Sequence, residues 1–256
     1  MTRSNLRFGS IIERNDDADF PFYNLLPQKV ETWKWLAIIL ASVAGFAALS
    51  FIGFESQVLM LIPRILFVGL PLATFIILVQ PNWRAIFRPL KARDYGAMII
   101  FWLINLLVSA LVALIASGGK IGGFTSNSAT DGLVDGGVIN VVAFYLGTFL
   151  QLFGEEVFTI LPFLAVLYWC YSKAHLSRKT SIILAWIITA VWFGAAHLPT
   201  YGWNFVQAIF VIGSARIVLT LAFIRTKNIL VSFGAHLIND WATFTFALVF
   251  AALAAS

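Results

Sequence analysis

Apolar runs of roughly twenty residues, broken by short polar connections, recur along the whole chain. Seven of them, at 33–54, 58–80, 96–117, 138–170, 181–198, 203–224 and 228–252, are long enough to cross about 30 Å of hydrocarbon. Their apolar residues are continuous rather than alternating, which argues against a lipid-facing β-barrel. The pattern therefore predicts an all-α, polytopic membrane helical bundle of seven transmembrane helices, or eight if the long fourth run divides. Composition agrees: 60% of the residues are hydrophobic and only 11% charged, with mean hydropathy +0.89. A soluble domain carries about 25% charged residues.

The basic residues set an orientation. Arg3, Arg7, Arg14, Lys29 and Lys34 precede or open the first run, and Arg84, Arg88, Lys91 and Arg93 join the second to the third. Lys173, Arg178 and Lys179 follow the fourth run, and Arg225 and Lys227 follow the sixth, whereas the remaining connections carry only Lys120. This bias alternates correctly only if 138–170 crosses once, placing the N-terminus in the cytoplasm and the C-terminus outside. The net charge of +5 is then a topology signal rather than a nucleic-acid footprint. Residues 1–32, polar and without a cleavable signal pattern, read as a cytoplasmic N-terminal segment. Residues 33–117 form three N-terminal spans and 138–252 the remaining core. The Gly-, Ser- and Asp-rich stretch SGGKIGGFTSNSATDGLVDGG reads as an external linker or a gate. The single cysteine, Cys170, permits no internal disulfide.

Against this background three polar clusters stand out: Glu155-Glu156, His197, and His236 with Asp240. A charge at the centre of a bilayer costs about 2.5–3.5 kcal/mol on insertion scales, so an ionisable residue there is read first as functional. Adjacent helical residues point about 100° apart, so the two glutamates cannot face one ligand equally. One can face a cavity while the other pairs with a neighbouring helix. Arg64 and Arg216, which fall inside spans, either supply that partner or snorkel to an interface. Gly154 permits another backbone to approach, and Pro162 removes the hydrogen bond that would return to the carbonyl of Phe158. His197 precedes Leu198-Pro199, so its helix is expected to stop beside it. His236 and Asp240, four apart, share a helix face bordered by Asn239. His175 sits in a basic loop and reads as a surface residue.

Other chemistries are missing from the sequence. There is no H-E-x-x-H motif, no nucleophile elbow and no Gly-rich phosphate loop. Two carboxylates and two imidazoles with Asp240 or Asn239 can activate water and stabilise an oxyanion. The same groups can instead hold a divalent metal that acidifies its bound water.

The order Glu155-Glu156, then Phe193-Gly194-Ala195-Ala196-His197, then His236-Leu237-Ile238-Asn239-Asp240 resembles the CPBP family of intramembrane proteases. That family includes CAAX prenyl proteases of the Rce1 type and bacterial Abi-type bacteriocin-immunity proteins. The resemblance covers 138–252 and implies hydrolysis of a peptide bond in a membrane-associated protein or peptide. It assigns Glu155, Glu156, His197, His236 and Asp240 to the catalytic set. Members are described both as metalloproteases and as metal-independent glutamate-type proteases. A divalent metal such as zinc, held by Glu155, His197 and His236, is therefore one of two open alternatives. Aspartate at 240, where the family has asparagine, fits orientation of His236 or metal binding better than a pure oxyanion role. The family's Glu-Glu-x-x-x-Arg has Ile160 at the arginine position here. Either Arg216 or Arg64 replaces it from another helix, or the glutamates share a proton. Ile160 also favours a rival reading, a catalytically inactive member serving as a membrane immunity or scaffolding protein. A proton- or ion-coupled transporter is a more distant third. On the predicted spans His236 lies about 10 Å shallower than Glu156 and His197, and only tilt or bending would unite them in one site.

Overall fold

The computed structural model describes residues 7–16, 18–118, 123, 125, 130, 133 and 137–255. Among these there are seven α-helices and no strands. They are α1 (Thr32–Phe51), α2 (Leu61–Leu78), α3 (Ala92–Gly118), α4 (Gly137–Tyr168), α5 (Arg178–Ala196), α6 (Gly213–Thr226) and α7 (Ile229–Ala255). Short π-helical segments, Trp169–Lys173 and Val206–Ile212, extend α4 and lead into α6. Among the described residues six helical stretches are long and apolar enough to cross a membrane, and the chain is an integral membrane protein. Helix α7 is not among the six. It is 27 residues long and carries His236, Asn239 and Asp240 within its apolar run. Most of the Gly/Ser/Asp-rich stretch between α3 and α4 lies outside the described residues.

Helix α4 is the axis of the molecule, touching α1, α2, α5 and α7. Of its most apolar window 78% is buried inside the protein, against 17% for the corresponding window of α3. The fourth run is thus one continuous helix, and the reason is its sequence: small or apolar residues on every face leave no polar side to turn outward. Helix α3 is the opposite case, with Ile99, Ile100, Leu103, Leu107, Leu111 and Leu114 exposed along one side, as a lipid-facing helix requires. Two local features tie α4 to its neighbours. Pro162 cannot bond the carbonyl of Phe158, and the indole of Trp192 on α5 donates to that oxygen at 3.2 Å instead. Gly154 accommodates a side chain, not the backbone expected from the sequence: a Cβ there would stand 2.7 Å from the ring of Phe67 on α2. True backbone approach occurs at Gly194, where a Cβ would lie 2.6 Å from the carbonyl oxygen of Ala208.

The polar N-terminal segment packs into the bundle. Phe20, Phe22 and Tyr23 join the main apolar core with Trp35, Phe163 and Phe223. Beneath them Glu13, 2% exposed, accepts two hydrogen bonds from Arg178 at 2.8 and 2.7 Å and one from Lys227 at 2.9 Å. Arg178 also pairs with Asp19 at 2.7 Å. One carboxylate therefore joins the start of α5 to the α6–α7 turn. Burial opposes its charge, but hydrogen bonds from Arg178 and the charge of Lys227 outweigh that and hold the Glu13 carboxyl down to about 2. A depressed carboxyl contributes stability that is full above its ordinary value of 4.5 and lost as pH falls through about 2. The melting temperature of the purified protein is expected to drop across that window. In Glu13→Gln the melting temperature should start lower and decline less with acid. An identical acid profile for the two proteins would show that Glu13 carries no such linkage.

Candidate active site

Helices α2 to α7 and the loop after α5 contribute to a cavity of about 590 Å³ whose wall includes Glu155, His197, His236 and Asp240. The adjacent glutamates divide as helical geometry demands. Glu155, 8% exposed, faces the cavity, where the amide of Gln151, one turn earlier, donates to its Oε1 at 3.1 Å. Glu156 is fully buried and turned toward α6 and α7. Arg216 clamps it with two parallel hydrogen bonds of 2.6 and 2.9 Å, and Arg216 is itself fully buried. The guanidinium also lies over the ring of Phe193 at 5.1 Å and donates to Thr220 at 3.1 Å. The positive charge absent at position 160 is thus supplied by Arg216, 60 residues downstream of Glu156. Ile160 occupies the apolar core with no exposure.

His236 joins the two acids. Its Nδ1 lies 2.9 Å from Oε1 of Glu156, whose pairing with Arg216 favours the ionised, hydrogen-bond-accepting form. Nδ1 is then the donor, and Nε2 is directed into the cavity, 3.7 Å from both Glu155 and Asp240. The depth mismatch expected from the sequence is absorbed, because α7 packs directly against α4 and α6. Asp240 is held by the amide of Asn239 at 2.9 Å, and Asn239 accepts from Asn105 of α3 at 3.1 Å.

His197 caps α5, as Pro199 dictates, and its ring lies beside Phe193 with centroids 4.5 Å apart. Its Nδ1 sits 2.8 Å from the carbonyl oxygen of Phe193. A carbonyl can only accept, so Nδ1 carries the hydrogen and Nε2 keeps a lone pair. Phe193 spans the two histidines, its ring 6.3 Å from that of His236. His175, by contrast, is exposed and far along the chain from any of these groups.

Among the polar residues of the cavity wall that the sequence did not single out are Gln151, Asn105 and Tyr201. Only Gln151 left a signal, its four-residue spacing from Glu155. Tyr201 stacks beside His197 with rings inclined by 21°. Burial first, then the charges of Asp240 and Glu155, push its hydroxyl up from the ordinary phenol value, so it remains a donor. As placed, no three His, Cys, Asp or Glu side chains among the described residues converge in a geometry that would hold a metal ion. Glu156 is committed to Arg216, and Glu155, His197 and His236 share a wall without forming a three-donor cluster. No step below is routed through a metal.

The cavity thus combines one accessible carboxylate, a fixed imidazole base and a second imidazole held by an arginine-neutralised glutamate. No curated protein and no solved structure matches the chain. Residues 136–242, the segment that contributes both glutamates, both cavity histidines, Arg216 and Asp240, match the family model described as type II CAAX prenyl endopeptidase, Rce1-like. In that segment the chain is similar to the Rce1-like family.

Proposed function

We propose that this protein is an intramembrane endopeptidase of the glutamate type, cleaving a peptide bond of a membrane-associated protein or peptide. The observation that carries the reading is the division of labour between the glutamates: Glu155 in the cavity, Glu156 neutralised by Arg216. Glu155 takes a proton from a water that His197 Nε2 orients by accepting its other hydrogen. The resulting hydroxide attacks the scissile carbonyl carbon. The oxyanion is stabilised by the Tyr201 hydroxyl and by His236 as an imidazolium, which donates from Nε2 while Nδ1 donates to Glu156 and Asp240 helps position the ring. The proton held by Glu155 then passes to the departing amine nitrogen as the C–N bond breaks. General acid–base assistance of this kind is worth about 10²–10⁴-fold, and oxyanion stabilisation adds to it. In this scheme Glu155 and His197 are catalytic, whereas Glu156, Arg216 and Asp240 position His236.

The same proposal takes seven spans, with the N-terminus cytoplasmic and the C-terminus outside, as the charge bias requires. Residues 138–252 would form the catalytic core behind three helices of 33–117 and the segment 1–32. The rival, a non-cleaving immunity or scaffolding member, drew on the missing arginine at 160. Arg216 on Glu156 removes that reason.

The test compares protein termini in membranes from cells expressing wild type or Glu155→Gln at equal levels. Glu155 is the variant of choice because Glu156→Gln would also disturb a buried ion pair. Neo-termini present only with wild type would establish proteolysis and name its substrates. Identical termini across replicated conditions would give the non-cleaving reading the field.

A further inference from the structure

One cation in the cavity wall is not explained by this chemistry. Arg64, near the start of α2, is 7% exposed and lies outside the segment that matches the family model. Neither sequence expectation for it holds, since Glu156 is taken by Arg216 and Arg64 does not reach the surface. Among the described residues its Nε has no hydrogen-bond partner, and its one polar contact is a long one, 3.5 Å from Nη1 to the side-chain oxygen of Gln57. Among the described residues no Asp or Glu pairs with it. A buried guanidinium without a counter-ion is unfavourable, and several kcal/mol of desolvation are ordinarily offset by a carboxylate. The fold nevertheless makes room for this one. Gly147 on α4 sits directly under the guanidinium, and a Cβ there would stand 1.9 Å from Nη1.

We infer that Arg64 is the binding site for a carboxylate of the bound peptide. A guanidinium offers a planar fork of donors that matches two carboxylate oxygens, and Arg64 lines the cavity in which such a group would meet it. The inference rests on the proteolytic reading of the same cavity and adds a specificity residue to it. Geometry also sets a register. Gly147 lies eight residues before Glu155 on α4, ~12 Å along the helix axis. The Glu155 side chain leans back toward Gln151, which shortens the gap to ~6–12 Å. An extended peptide covers that distance in roughly two to four residues. The carboxylate bound by Arg64 is thus that far from the cleaved bond. A chain terminus and an Asp or Glu side chain present the same chemistry.

The experiment uses the full chain purified in detergent and three pools of N-dodecanoyl pentapeptides of mixed sequence. One pool is made as free acids, one as C-terminal amides, and one as amides with a single Glu at varied positions. Affinities are measured in the Glu155→Gln background, so that nothing is cut. A carboxylate-bearing pool is expected to bind roughly tenfold or more tightly than the plain amides. Preference for the free acids assigns the chain terminus, and preference for the Glu pool assigns a side chain. Arg64→Gln should abolish the preference without lowering the melting temperature, because no native ion pair is lost. Arg64→Lys should keep part of it. Gly147→Ala, which displaces the guanidinium, should reduce it independently. Equal affinity for all three pools, or a preference that survives Arg64→Gln, overturns the inference. The proteolytic reading is separated by incubating the same pools with Glu155 intact. Arg64-dependent binding without cleavage leaves the anchor standing and removes the protease. Cleavage that ignores the carboxylate does the reverse.

Discussion

Arg216→Met is expected to destabilise the protein by about 3–5 kcal/mol, as breaking a buried ion pair from one side does. Both members of the pair are fully buried, and the pair is bidentate at 2.6 and 2.9 Å, so the carboxylate left behind has no water to turn to. It must either stay charged with His236 as its remaining partner or take up a proton, which weakens the Nδ1 contact that positions the imidazole. Activity should therefore fall further than the loss of folded protein explains. Glu156→Gln combined with Arg216→Met replaces both charges and should recover most of the melting temperature. Thermal unfolding in detergent reads both effects. A single variant that melts with wild type would mean that Arg216 merely fills space and that Glu156 is not held by it.

Ile160→Arg restores the family's motif on paper and is expected to be worse than the natural residue. Position 160 is fully enclosed by the apolar core around Val157, Leu161 and Leu164. The new guanidinium would find its only neighbouring acid one turn away already held by Arg216. An unpaired charge in such a site costs more than about 4 kcal/mol, the range reserved for severe lesions. The informative comparison is the double variant Ile160→Arg, Arg216→Met. With Glu156 free, an arginine four residues later can reach back to it along the helix. The two changes should then couple favourably, by up to about 3 kcal/mol, rather than add. Simple additivity would argue that the 160 side chain cannot reach Glu156. A benign Ile160→Arg would contradict the burial of that position.

Much of this was legible in the chain. The seven apolar runs correspond to the seven helices, because a run of some twenty mostly apolar residues has few other ways to satisfy its backbone in lipid. The end of α5 at His197 followed from Pro199, and the divergence of Glu155 from Glu156 followed from their adjacency. The exchange of partners at Pro162 was half legible: the orphaned Phe158 carbonyl could be named, but not the indole that reaches it. Gly154 was misread in kind, since small residues announce a close approach without saying what approaches. Tyr201 and Asn105 were invisible, lying in a loop and on a lipid-facing helix with no motif around them.

The sequence alone determined which ionisable groups are placed in an apolar setting, and suggested that three helices could pool them, because their cost in hydrocarbon points to a function. It left the arginines open. That Arg216 neutralises Glu156 while Arg64 stays without a carboxylate was decided only by tertiary packing. Both side chains are long, both lie in apolar helices, and nothing local distinguishes them. The difference lies in which helix faces Glu156: α6 brings Arg216 against it, whereas α2 leaves Arg64 against Gly147.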